Sequence, residues 1–345
     1  MKAGQPHSGI PMVSILMPAY NCEKYVLEAV SSMLAQTFKD FELLVIDDGS
    51  TDSTRSILDR ISDHRLRIIS NPKNLGLIST LNIGLENCIG KYVARMDADD
   101  ISAIERLDKQ VQFLELHPEV HALGTMVNLI DDGGKIFSGL SGYPSTPKDI
   151  RQHLLRDCCL IHPTVMFRKD TVCALGGYDN GFKHSEDYDL WLRLSHEHEI
   201  ANLPDKLVSY RIHKNQVSIK NIITQHQSSH DCRARALSAR AEMGESVHDI
   251  TSVAFPGFWH RLIAAECTLG RDYLNWAHIY CAMRLSRVAL GFALKSILHS
   301  PLSINSWARA FVCSAHIIFP LSWQRAANWY KRRLINTISS GGIRR

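Results

Sequence analysis

Along the first hundred residues, short continuous apolar runs alternate with helical stripes. Val13–Met17 is an apolar run that ends at Pro18, the pattern of a buried strand. Apolar residues then recur at Val26, Ala29, Val30, Met33 and Leu34, the i, i+3, i+4, i+7, i+8 spacing of one buried helix face. Phe41–Ile46 reads as a second strand, closed by Asp47–Asp52, a turn rich in glycine and capping residues that leads into a helix over roughly 53–61. Leu66–Ser70 predicts a third strand, Asn71–Gly76 a turn, Ile78–Asn87 a helix and Tyr92–Met96 a fourth strand. Strands that are apolar throughout, separated by helices, predict a parallel α/β sheet covered on both faces.

Beyond a helix at about 104–116 the pattern becomes irregular. His121–Gly124, Val127–Ile130 and Thr164–Phe167 are short strand-like pieces, with a turn at Asp131–Gly134, so the sheet is expected to continue in a mixed layout. Further on, Tyr273, Trp276, Ala277 and Tyr280 share one helix face, and Leu285, Val288, Ala289, Phe292 and Ala293 share another. The apolar windows there are broken by Arg309, His316 and Pro320, and none reaches the roughly 20 residues a spanning helix needs.

Charge divides the chain. The net charge is +4, but from Tyr273 onward there is no Asp or Glu against ten Lys and Arg, while the first 272 residues hold 29 basic and 35 acidic groups. Five of the six tryptophans (259, 276, 307, 323, 329) follow residue 258. The expected organisation is a flexible tail over 1–11, an α/β domain over 12–222 with halves at about 12–100 and 101–222, and a basic, Trp-rich helical region over 223–345. Basic helices with interfacial Trp suit peripheral contact with an anionic membrane; no nucleic-acid-binding module is recognisable, and no nucleic-acid partner is expected. The polar start has no apolar core of a signal peptide, and nine scattered cysteines read as reduced thiols. A cytoplasmic protein, peripheral at the inner face of the plasma membrane, is expected.

The chemistry gathers after the strands. Polar turns at Pro18–Asn21, Asp47–Ser50 and Asp97–Asp100 each follow a strand, and in open α/β sheets ligands sit beyond the strands' carboxyl ends. Asp97, Asp99 and Asp100 fall within four positions, a repulsive set that calls for a cation. No G-x-G-x-x-G follows the first strand and no Walker-type loop occurs, which weakens dinucleotide and P-loop readings. Ser185–Glu186–Asp187 has the form of a helix start, with Ser185 as cap and acids suited to the dipole.

Three blocks in order, "VSILMPAYNCEKYVLEAVSSMLAQTFKDFELLVIDDGSTDST", "NLGLISTLNIGLENCIGKYVARMDADD" and "GGYDNGFKHSEDYDLWLRL", resemble the inverting family 2 glycosyltransferases of bacterial polysaccharide and glycolipid type, with a GT-A fold. The match runs from about residue 12 to 218. The resemblance implies a nucleotide-sugar donor, a UDP-sugar foremost, with Mg²⁺ or Mn²⁺, and a glycan or lipid-linked glycan acceptor. By it, Asp97-Ala-Asp99 is the DxD motif: Asp99 is the principal metal ligand, Asp97 contacts the ribose or a metal-bound water, and Asp100 caps the next helix. Pro18, Tyr20, Asn21 and Asp48 line the nucleotide, with Asn74 and Asn82 as weaker matches in the same lobe. Asp187 is the base that takes the acceptor's proton, Glu186 orients it, and Trp191 is a stacking surface for sugar. In "LVSYRIHKNQVS", Arg211 reaches the diphosphate and His213 contacts metal or phosphate; His162 lies in a family-like stretch without a stated role. A processive synthase is disfavoured, because Gln324–Trp329 does not fit Q-x-x-R-W. The alternatives from other classes are a sugar-nucleotide nucleotidyltransferase, which would carry a glycine-rich basic loop after the first strand, and a non-catalytic carbohydrate- or membrane-binding relative, which would have lost its acids.

Overall fold

A computed structural model describes residues 9–213, 216 and 221–244, parts of 273–283, and then 286–300 and 304–318. The first eight residues of the expected N-terminal tail, Trp259, Trp276, Leu285, Trp323 and Trp329 lie outside the described residues.

The first half follows the apolar pattern closely. β1 (Val13–Ala19), α1 (Val26–Leu34), β2 (Phe41–Asp47), α2 (Thr54–Leu58), β3 (Leu66–Ser70), α3 (Leu77–Asn87) and β4 (Tyr92–Arg95) alternate in chain order. After them come β5 (Ile101–Ser102), α4 (Arg106–Leu116), β6 (Val120–Ile130), β7 (Ile136–Leu140) and α5 (Pro147–His153). A 3₁₀ turn (His162–Thr164), β8 (Met166–Arg168), α6 (Lys169–Ala174), α7 (Glu186–Glu197), β9 (Glu199–Arg211) and α8 (Ile222–Glu242) complete this part. The two pieces expected at 121–124 and 127–130 are one long strand, whose pairing with β9 shifts register between Thr125 and Val127.

One sheet runs in the order β3-β2-β1-β4-β8-β6-β9-β5, with β7 paired to β6. Strands β1 to β4 pair in parallel; β8 enters antiparallel and opens the mixed half. Successive β1 residues point to opposite faces. Val13, Ile15, Met17 and Ala19 join α1 and α4 in one core, while Leu16 joins α3, α5 and α7 in the other. The chain steps outward from β1 to β2 and β3, then returns to β4 on the other side of β1. Between the carboxyl ends of β1 and β4 the strand order reverses, which is where such sheets bind ligands.

The chain forms two compact units, residues 1–254 and 255–345, rather than dividing at 222/223. The reason is α8, which belongs to the first unit: Arg235 donates to Asp189, and Ser185 Oγ bonds the Gln225 carbonyl at 3.1 Å and Ser229 Oγ at 2.8 Å. Ser185 is therefore not a side-chain cap for α7; its hydroxyl is committed to α8. In the second unit, α9 (Ser286–His299) and α10 (Ile304–Ile318) pack with Ala277 through Ala293, Ile297 and Ala310. Among the described residues no helix is long and apolar enough to cross a membrane.

One glycine is dictated by the site's frame. Gly49, in the turn after β2, has φ +68°, and a Cβ there would lie 2.5 Å from the Lys73 carbonyl carbon. Gly176 also has positive φ (+81°), but open space surrounds its Cβ position. Gly176→Ala is expected to cost the left-handed penalty alone, about 1–2 kcal/mol. Gly49→Ala adds a backbone collision and should lower the urea midpoint further; equal losses would refute this account of the turn.

Candidate active site

The backbone of β4 carries on against β1 as far as Met96, whose N–H donates to the Leu16 carbonyl at 3.1 Å. The chain then turns, and the three carboxylates leave the sheet edge together. One oxygen from each of Asp97, Asp99 and Asp100 falls within 4.8 Å of the others. A Mg²⁺-sized ion holds its oxygen ligands about 2.1 Å away, so the three carboxylates would have to draw closer to close on one cation. Asp100 is 1% exposed, and its Oδ2 has no hydrogen-bond partner. Burial, Asp99 and Asp97 together push its carboxyl well above the usual range. A buried, unsatisfied carboxylate oxygen beside two more acids fits a hard divalent ion with oxygen ligands.

Asp100 does not cap α4, which begins six residues later. Its Oδ1 instead accepts the Arg211 backbone N–H at 2.8 Å and pins β9 to the acidic loop. Arg211 also differs from its expected role. Its guanidinium is buried, with Nε on the Asp99 carbonyl (2.7 Å), Nη2 on Glu28 (2.6 Å), and Nη1 on the Asp131 and Asp132 carbonyls (3.2 and 3.3 Å). With all three nitrogens engaged inside the chain, Arg211 clamps the acidic loop to α1 and to the turn after β6. Tyr25 lies against the same guanidinium, 4.8 Å from ring centroid to Arg211, and donates with Lys24 to Asp132. His213 Nε2 meets Asp99 Oδ2 at 2.8 Å.

The second acid pair starts α7. Glu186 is 4% exposed, and its carboxyl is pushed up to about 7, first by burial and next by Asp187. Asp187 is also raised by burial, against the Tyr188 N–H, which its Oδ1 accepts at 2.7 Å, and against Arg95. His162 Nδ1 lies 4.0 Å from Asp187 Oδ2, and its Nε2 bonds Tyr178 Oη at 2.9 Å. Burial, then Arg95, holds His162 well below the ordinary imidazole range, so it is neutral.

Arg95 is the residue that sequence reasoning missed. Its side chain is 3% exposed, and Nη1 lies 2.5 Å from Asp97 Oδ2. Burial works against its charge, but Asp97 more than offsets that and keeps the guanidinium protonated. The same cation lowers the carboxyls of Asp97, Glu186 and Asp187, so both acid pairs answer to it. The available signal was a lone Arg inside an apolar strand, two residues before the acidic run.

The nucleotide-side residues are spread along the same edge. Pro18 is buried in β1, and Tyr20 just beyond it is 47% exposed. Asn21, at φ +47°, accepts the Thr51 N–H at 2.8 Å and ties the β1 and β2 turns together. Asp48 accepts from Asn71 Nδ2 (2.8 Å) and from the Leu75 and Gly76 N–H groups (2.9 Å each), so it fixes the 71–76 turn. Asn82 bonds both backbone groups of Tyr178, at 2.8 and 2.9 Å, and fastens α3 to the loop before α7. Trp191 is fully buried, its ring edge-on to His162 at 6.1 Å. A side chain with no exposed surface offers no face to a sugar; the i+4 position from Asp187 points it into the core.

Comparison with known proteins agrees with this geometry. The glycosyl transferase family 2 profile matches residues 14–173. The amylovoran biosynthesis glycosyltransferase AmsE of Erwinia amylovora is 38% identical over 212 residues, covering 60% of this chain and 79% of that protein. Among solved structures, S. aureus TarS 1–349 in complex with UDP-GlcNAc aligns with a TM-score of 0.55 at 18% identity, over 87% of this chain and 88% of that one. The mannosyltransferase PcManGT from Pyrobaculum calidifontis, in complex with GDP-Man and Mn²⁺, aligns at 0.50 and 15% identity, over 91% and 89%. At such identities the likeness is one of fold, and that fold is GT-A.

Arg95→Gln removes the buried partner of Asp97, at an expected cost of about 3–5 kcal/mol. The sign with pH follows from the acids. A carboxyl raised above its unfolded value stabilises while protonated and loses that contribution as pH rises through the folded pKa. Without Arg95 the acids rise further, so denaturant unfolding should show a larger deficit at pH 8 than at pH 5; a deficit independent of pH would argue against the pairing.

Proposed function

This chain belongs to glycosyl transferase family 2 and is a glycosyltransferase, and from that premise we propose that it moves a sugar from a nucleotide sugar, a UDP-sugar foremost, to a glycan or lipid-linked glycan acceptor, with inversion at the anomeric carbon. The setting is bacterial cell-surface polysaccharide biosynthesis, the role in which AmsE is named. TarS and PcManGT, which share the fold, were solved with UDP-GlcNAc and GDP-Man, and this supports an activated-sugar donor. The observation that carries the reading is the meeting of the acidic loop and the α7 acid pair around Arg95, at the point where the strand order reverses.

Asp99 and Asp97 would hold Mg²⁺ or Mn²⁺, with Asp100 behind them and His213 orienting Asp99 or joining the ligand set. Bound there, the ion supplies Lewis-acid neutralisation of the departing diphosphate. Arg95 keeps Asp97 anionic, so this ligand remains available near neutral pH. Tyr20 offers an exposed ring to the base beside Pro18, with Asn21 and Asp48 shaping the turns around it. Asp187 takes the acceptor hydroxyl's proton as its oxygen attacks opposite the leaving diphosphate. Glu186, raised to about 7, stays largely protonated at lower pH and spares Asp187 a second adjacent negative charge. A lipid-linked acceptor would also give the basic C-terminal region a purpose, as peripheral contact with the inner face of the membrane.

Calorimetry with UDP and a panel of sugar nucleotides, with and without Mn²⁺, tests the reading. Metal-dependent binding of one nucleotide sugar is expected, and Asp99→Ala should abolish it. Asp187→Asn should retain donor binding and lose roughly 10²–10⁴-fold in turnover, the worth of a general base. If no sugar nucleotide binds with any metal, or Asp187→Asn keeps its turnover, the proposal fails.

The base must be ionised to act. The rate, kcat/KM, is therefore expected to hold above the Asp187 pKa and fall as pH drops through it, at a pH above the usual aspartate range. Glu186→Gln, which keeps that position neutral as the protonated acid does, should leave that acidic limb in place; a limb moved to lower pH would show that Glu186 is charged beside the base.

A further inference from the structure

Among the described residues, α9 and α10 bury mostly small or short side chains, Ala289, Ala293, Ser296, Ser306, Ala310 and Cys313, together with Ile297 and Arg309. Ser296 Oγ and Ser306 Oγ bond each other at 2.7 Å and tie the start of α10 to the end of α9. Four large apolar groups are left outside. Leu294 and Leu298 are 50% and 79% exposed, four residues apart on α9; Trp307 and Phe311 are 56% and 67% exposed, four apart on α10. Leu298 is in the last turn of α9 and Trp307 in the first turn of α10, so both pairs gather toward the hairpin's connected end. Helices of soluble proteins bury such residues and expose polar ones.

Charge decides what this surface fits. Lys295 is exposed among the leucines, and from Tyr273 to the end of the chain ten Lys and Arg face no Asp or Glu. An apolar protein partner would account for the leucines and aromatics but not for the complete absence of acids. An anionic bilayer accounts for both, since its headgroups attract the cations and its acyl boundary takes the apolar side chains. With 14 and 15 residues, the helices are about 21–23 Å long, short of the roughly 30 Å hydrocarbon core.

We propose that the α9–α10 hairpin docks on an anionic lipid bilayer, entering the headgroup boundary with Leu294, Leu298, Trp307 and Phe311 while Lys295 faces lipid phosphate. It rests on the membrane contact proposed for the C-terminal region and names the surface that makes it. The docking needs neither donor nor metal, so it can be tested apart from transfer.

The test is co-sedimentation of the full chain with vesicles of phosphatidylcholine alone and of phosphatidylcholine with phosphatidylglycerol, in 0.1 and 0.5 M salt, which shortens the screening length from about 10 Å to about 4 Å. Partition onto the anionic vesicles is expected, weakened by salt, and at least about tenfold weaker for Leu298→Glu/Phe311→Glu. Leu298→Ala/Phe311→Ala, a milder change at exposed positions, should weaken it less. Circular dichroism and UDP binding on the same samples report folding and the transferase site separately. Three results would overturn the proposal: no partition onto either vesicle, partition unchanged in both variants, or self-association abolished by the Glu variant while vesicles are ignored, which would assign the face to a second copy of the chain. Absence of vesicle binding by the unsubstituted chain with its UDP binding intact would overturn the docking surface and leave the transferase reading standing.

Discussion

A guanidinium almost wholly withdrawn from water holds the acidic edge of this fold together. Removing such a cation from water costs several kcal/mol even after relaxation, and only close anionic partners can offset that. Arg95 has Asp97 at 2.5 Å and the α7 acid pair within electrostatic reach. The reverse also holds. Glu186, which is buried, and Asp97 and Asp187, which are half-buried, would be harder still to ionise without it. Neither the acidic loop nor the start of α7 is thus an independent feature. The two share one counter-charge, and the carboxyls on its far side, Asp99 and Asp100, are left with an incomplete set of partners that a cation would fill.

Around this centre the chain spends several side chains on position rather than on contact with substrate. Arg211 binds the Asp99 carbonyl, α1 and the turn after β6 at once, and its own N–H is fixed by Asp100. Asn82 fastens the Tyr178 backbone, and Tyr178 in turn holds His162 beside Asp187. From the other side α8 grips α7 through Arg235 and Asp189 and through Ser185. Such an arrangement fixes the distance between the acidic loop and the α7 acid pair, which the proposed direct displacement needs, because the attacking oxygen and the leaving diphosphate must lie on opposite sides of one carbon.

The sequence disclosed most of the scaffold because its parallel half is written in local pattern. Continuous apolar runs and 3.6-residue stripes marked β1 through β4 and their helices, and the acids at the ends of β4 and at the start of α7 were visible as clusters. What stayed hidden depended on distant partners. Arg95 looked like an interruption of a strand, since its role is set by Asp97 and by α7 ninety residues away. Asp100 and Ser185 had the right types for helix caps, yet one is drawn to the Arg211 N–H and the other to α8. Arg211 was legible as a functional cation but not as one whose donors are all engaged within the chain. Trp191 shows the same limit, for an aromatic near catalytic acids reads equally as a stacking face or as core, and only burial decides.

Burial and mutual repulsion hold Asp97 and Asp100 above the usual carboxylate range, and a bound cation would relieve them. Binding of a divalent ion to carboxyls held above their usual range must displace protons. Isothermal calorimetry of Mn²⁺ with UDP near pH 6, in two buffers of different ionisation heat, counts those protons directly. Proton release is expected as the ion binds, since burial, Asp99 and Asp97 hold the Asp100 carboxyl well above the usual range in the free protein. Tight binding with no proton released would contradict it, because the carboxyls would then already be ionised and in no need of the ion.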